Sequence, residues 1–158
     1  MPVLRPLFAT LALAAVAAVP AAAQLRTVRT LSADAAKQAL GAAEAEARKN
    51  NWNVAIAVVD ASGELVAFLR MDGVQPASVD IARGKARTAA RFRRPTKALD
   101  SVMATGRTQL LAFEGVVPVE GGVPVQVAGE TVGAVGVSGV TSQQDAQVAA
   151  AGARAVAP

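Results

Sequence analysis

The 158-residue chain has no cysteine, no histidine and no tyrosine, and aromatic residues make up only 3% of it. Without cysteine there is no disulfide framework, so stability must come from packing or assembly. With neither thiolate nor imidazole, tetrahedral zinc, copper and iron–sulfur sites lose their usual ligands. Ser-His-Asp and Cys-His nucleophile systems are removed by the same absence. Any metal site would have to use oxygen ligands or arrive with a bound cofactor. Scarce aromatics argue against nucleic acid as a partner, because single-stranded bases are held largely by stacking on aromatic side chains.

Long apolar runs are scarce as well. The first residues have the plan of a secretory signal: Arg5, an apolar stretch from Leu7 to Val19, Pro20, and the small residues Ala21-Ala22-Ala23 before Gln24. Residues 1–23 are therefore expected to be a signal peptide, and residues 24–158 an exported domain, periplasmic or secreted. The apolar stretch is shorter than the roughly 20 residues that span a bilayer. The alanine-rich tail is interrupted by Asp145, Gln147 and Arg154, so no transmembrane span is expected in the mature chain. What remains is long enough for a single core.

Within that domain, Ser32 is placed to cap a helix running to Lys49, with Ala36, Leu40, Ala43 and Ala47 as its apolar stripe and Glu44 and Arg48 as an i,i+4 pair. Val54, Ile56 and Val58 alternate with smaller residues. Leu65, Ala67 and Leu69 alternate with Val66 and Phe68. Between these two half-buried strands, Asp60-Ala61-Ser62-Gly63 supplies the turn, and Gly63 can take its positive φ. Helical spacing resumes from Ala77 to Phe92 and again from Thr96 to Thr105. Leu110 to Glu120 leads into three extended runs, parted by Gly121-Gly122 and by Ala128-Gly129-Glu130. Thr141 and Gln144 form a capping box for a terminal helix. This layout predicts a single α+β domain, a five-stranded, mainly antiparallel sheet with helices packed on it.

Three features are candidate sites. Between Asp80 and Asp100 lie Arg83, Lys85, Arg87, Arg91, Arg93, Arg94 and Lys97 with no acidic residue among them. Arg83, Arg87, Arg91 and Arg94 share one helical stripe, which suits carboxylates, phosphates or an acidic protein partner but is equally the pattern of a solvated face. Lys85 projects from another face and is placed to meet an anionic ligand in a cleft. Arg70-Met71-Asp72-Gly73 offers a cation, a thioether and a carboxylate in one loop, although Met71 can equally fill the core. Glu120-Gly121-Gly122 would let a backbone approach a flat ligand, or simply turn a hairpin. No catalytic acid–base pair can be assigned from spacing.

The segment VVDASGELVAFLRMDGVQPASVDIARGKARTAARF from Val58 to Phe92 resembles the GlcG/HbpS-like family, also called the haem-degrading-domain family. Its members carry a VVDxxGxLxxFxRMDG hairpin and a KAxTAxxF helix. The likeness continues through Phe92, Pro95-Thr96 and Leu99, through Pro118 to Val125, through Val132 to Gly139, and through Asp145 and Ala151-Gly152 in the last helix. It implies a profilin-like sheet and assembly into homo-oligomers. It also implies a haem-binding or haem-handling role, more that of a binder or sensor accessory than of an enzyme, with basic residues on the propionates. Haem iron usually takes histidine, cysteine, methionine or tyrosine; here Met71, Met103, a lysine, or a hydroxyl such as Thr88 or Thr96 would have to serve. A second implication is a role with a small organic acid, in which Arg70 and Lys85 hold the carboxylate and Glu120 acts as acid or base. The candidate ligand-binding set is thus Arg70, Met71, Asp72, Lys85, Thr88, Glu120, Gly121 and Gly122.

Overall fold

The computed structural model describes residues 27–156, so the expected signal segment, residues 1–23, lies outside it. Ser32 accepts the Ala35 N–H at 3.2 Å and opens helix α1, Ala33–Lys49. Glu44 meets Arg48 on its outer face, Oε1 to Nε 2.8 Å, while Ala36, Ala39, Ala43 and Ala47 are buried. Strands β1 (Ala55–Asp60) and β2 (Leu65–Arg70) form the hairpin. Asp60 makes its turn: one carboxylate oxygen accepts the Ser62 and Glu64 N–H groups at 2.8 and 2.9 Å. Helix α2, Ser78–Phe92, ends where Arg93 takes a left-handed conformation, and the short α3 follows at Thr96–Ala104. Strands β3 (Gly122–Val127) and β4 (Glu130–Ser138) lead to α4, Ser142–Val156. The capping box forms as its sequence requires: Thr141 N–H donates to Gln144 Oε1 at 3.2 Å, and Gln144 N–H to Thr141 Oγ1 at 3.4 Å.

The sheet has four strands, not five, in the order β2-β1-β4-β3, with each neighbouring pair antiparallel. The run before Gly121 is not a strand. It begins as a 3₁₀ turn at Thr108–Ala112, contains Pro118 with no N–H to give a ladder, and is tied down by side chains instead. Val117 N–H donates to Thr88 Oγ1 at 2.9 Å, and Glu120 N–H to Asp100 Oδ2 at 2.9 Å.

Helices cover both faces of the sheet. Ile56, Val58, Val125, Val135 and Val137 pack with the alanines of α1 and with Val148 and Ala149 of α4 in the larger core. Ala55, Ala57, Val59 and Ala134 meet Ala82, Ala86, Ala89 and Ala90 of α2 on the other side. β1 is consequently buried along its length rather than half-buried. Its alternation of large and small residues records two different neighbours, not core and solvent. α2 lies so close that a Cβ at Gly136 would fall on the Ala82 carbonyl.

Candidate ligand site

Among the described residues the interior contains one ion pair with both side chains buried. Lys85 on α2 passes the β4 end of the sheet, where Nζ meets Asp145 Oδ2 of α4 at 2.8 Å and the Val137 carbonyl at 3.0 Å. Both side chains are at most 3% exposed. Burial pushes the Asp145 carboxyl above the usual carboxylate range, against the opposing pull of Lys85. The expectation of Lys85 pointing into a cleft is therefore corrected: its charge is spent on Asp145, a pairing 60 residues apart that helical spacing could not reveal.

Lys85, Thr88, Glu120, Gly121 and Gly122 do come together, but as packing. A Cβ at Gly121 would sit 2.6 Å from Lys85 Nζ, and one at Gly122 would fall on the Lys85 carbonyl. The glycine pair thus serves close backbone approach to α2 rather than a hairpin; the β3–β4 turn is at Ala128-Gly129. Thr88 is 1% exposed and its hydroxyl oxygen receives Val117. Thr96 is fully buried and receives the Gly122 N–H at 2.8 Å. Neither hydroxyl is open to an iron. Glu120 pairs with Lys97 at 3.0 Å.

Arg70, Met71 and Asp72 share the Ala55–Ser138 end of the sheet with this group but lie at the opposite edge strand. Met71 is 8% exposed and belongs to the larger core. Arg70 donates to the Val74 carbonyl at 3.4 Å, and Asp72 is exposed. Among the described residues, no buried side-chain nitrogen or oxygen lacks a hydrogen-bond partner, so the interior keeps no polar group in reserve for a ligand.

The surface offers a cleft of about 280 Å³ between the hairpin, α2 and the segment after the 3₁₀ turn. Val59, Leu65 and Val117 give it apolar walls; Gly84 lets Val117 pack against α2, where a Cβ would fall on the Val117 side chain, and Gly115 lines the cleft as well. Its charged groups are Arg83 and Arg87 with Asp80 and Glu64. Arg83 pairs loosely with Asp80 at 3.8 Å, and Arg87 with Glu64 at 3.7 Å. Arg91, one turn on, donates to the Ser62 carbonyl at 2.9 Å and to Glu64 Oε1 at 3.2 Å. The stripe of Arg83, Arg87 and Arg91 was legible in the sequence; Arg94, expected to continue it, lies past the end of α2, beyond the left-handed Arg93. The stripe's two carboxylates from the hairpin and the first turn of α2, and the Gly115–Val117 wall, were not. Beside the cleft wall, Leu111 and Phe113 are 61% and 58% exposed, with Phe113 set edge-on to Phe92 at 6.5 Å between ring centroids.

An antiparallel sheet between two helical layers, with an arginine-bearing surface cleft on the α2 side, defines a small α+β domain. The chain belongs to the HbpS-like family, whose model, described as haem degrading protein HbpS-like, matches residues 31–154. Protein GlcG of Escherichia coli K12 is 47% identical over 114 residues, covering 72% of this chain and 85% of that protein. The crystal structure of a double mutant of Streptomyces reticuli HbpS superposes with a TM-score of 0.79 at 38% identity, covering 90% of this chain and 97% of the other. A crystal structure of a PduOC–haem complex superposes with a TM-score of 0.74 at 28% identity, covering 80% and 94%.

Proposed function

We propose that this protein is an exported haem-binding protein that captures the tetrapyrrole at the α2 cleft and does not turn it over. The observation that carries this reading is the pairing of Arg83 and Arg87 with the apolar Val59, Leu65 and Val117 in one cleft. Guanidinium groups match carboxylates in geometry and charge, and the family and the PduOC–haem complex point to the same ligand. The cleft is below the roughly 300 Å³ at which small-molecule pockets begin. It therefore takes the propionate edge, while the flat body lies over exposed apolar surface such as Leu65, 46% exposed.

The fit is to the periphery of haem and not to its iron. No methionine or lysine lines the cleft, so no reaction step is assigned to the metal. Haem, when bound, would supply redox chemistry; the chain's own residues hold carboxylates, shield one face from water and orient the ring. Assembly of several copies belongs to the same reading, with Leu111 and Phe113 offering apolar surface.

The test is a haem titration of the protein from Gln24 onward, following the Soret band. Saturable binding is expected, weakened about tenfold or more by the double change Arg83→Ala, Arg87→Ala, since each charge-assisted hydrogen bond is worth about 1.5–3 kcal/mol. A flat titration sinks the haem reading. The cleft volume favours a small organic acid as the second reading, held by the same arginines.

A further inference from the structure

We propose that Arg87 and Arg91 form a carboxylate seat that Glu64 fills in the free protein and vacates for a carboxylate of the ligand. The proposal rests on the reading of this cleft as the anion-receiving face and adds how that site is kept when empty. Two features of the hairpin build the seat. The turn carbonyls hold the Nε groups of both arginines: Ser62 takes Arg91 at 2.9 Å and Gly63 takes Arg87 at 3.4 Å. Gly63 lies so close to them that a Cβ there would be 3.0 Å from Arg91 Nε and 3.1 Å from Arg87 Cγ. With their Nε edges anchored, both guanidiniums present their terminal nitrogens to a single carboxylate. Glu64 Oε1 is 3.2 Å from Arg91 Nη2, and Oε2 is 3.7 Å from Arg87 Nη2.

That arrangement is held well on one side and loosely on the other. The 3.7 Å contact is outside hydrogen-bond range, so Arg87 has bonding capacity that a better-placed carboxylate would use. Glu64 is 62% exposed and its arginines 39% and 49%, so the carboxylate can swing into solvent without burying charge. The neighbouring pair differs: among the described residues Asp80 pairs only with Arg83, at 3.8 Å, on the same helix. It therefore shares the charge of the cleft but not the seat.

The probe is malonate, a small dicarboxylate, titrated into the protein from Gln24 onward, which retains every described residue. The readout is the Nε–Hε NMR resonances of Arg87 and Arg91. Malonate is expected to shift both resonances saturably. E64Q, which keeps the side-chain length and removes the competing charge, should tighten malonate about two- to fivefold, the upper part of the range for loss of weak exposed pairs. D80N should tighten it less than twofold, with melting temperatures of both variants matching the parent. Equal affinity of E64Q and the parent overturns the proposal. So does an equal gain in D80N, which would mean that only the general field changed, and so do unmoved arginine resonances. A flat haem titration together with the expected malonate result removes haem and keeps the seat. Haem capture with no malonate response does the reverse.

Discussion

Lys85 and Asp145 are 2% and 3% exposed at their side chains and tie α2 to α4 across the end of β4. Removing Lys85 leaves the Asp145 carboxylate buried and alone, so Lys85→Met should destabilise the fold by about 3–5 kcal/mol in urea unfolding at neutral pH. Replacing both, Lys85→Met with Asp145→Leu, should recover most of that loss, because buried pairs offset their attraction with desolvation. The pH dependence has a definite sign. A carboxyl whose folded pKa is raised by burial contributes stability that is full below its unfolded value and is lost as pH rises through the folded one. An NMR titration of the Asp145 Cγ resonance should therefore show a midpoint above 3.8; a midpoint at or below it would show that Lys85 outweighs burial.

At the scale of elements, the contact of α2 with the sheet depends on small residues. Alanines of the helix meet Ala55, Ala57 and Ala134, and Gly136 lets the backbone of α2 come closer than any side chain would allow. Gly136→Ala forces the new methyl against the backbone of Ala82 and Ala86. Overpacking of this kind typically destabilises by about 1–3 kcal/mol. A lowered urea midpoint with an unchanged slope would report it, and an unchanged midpoint would mean that α2 shifts freely. Gly122 makes the equivalent approach at the start of β3. Gly122 and Gly136 thus set a helix–sheet distance.

For the molecule as a whole, the cores account for the two sheet faces, but Leu111 and Phe113 remain in solvent beside the cleft. If copies assemble through this surface, light scattering of the protein from Gln24 onward will give a multiple of the chain mass. The double change Leu111→Ser, Phe113→Ser will lower it. A monomer mass in the parent protein would remove assembly from the proposed reading. Among the described residues no helix is long and apolar enough to cross a membrane.

Local chemistry decided much of this protein before folding. Ser32, Asp60-Gly63 and the Thr141–Gln144 box fix where helices and the hairpin begin and turn, because each acts on backbone groups within a few residues of itself. The placing of Arg83, Arg87 and Arg91 on one face of α2 followed from a 3.6-residue period alone, whereas Arg94 lies beyond the helix end at Phe92. Tertiary structure decided what those arginines face. The sequence places Glu64 at a strand start and Lys85 on a helix, but only the docking of the hairpin on α2 brings Glu64 to Arg87 and Arg91. Only the packing of α4 brings Asp145 to Lys85. The fifth strand was lost for a similar reason: the hydrogen bonds of the run before Gly121 go to Thr88 and Asp100. Periodicity reports which residues share a face; the partner on that face comes from elsewhere in the chain, and charge pairing at such separations has no local signature.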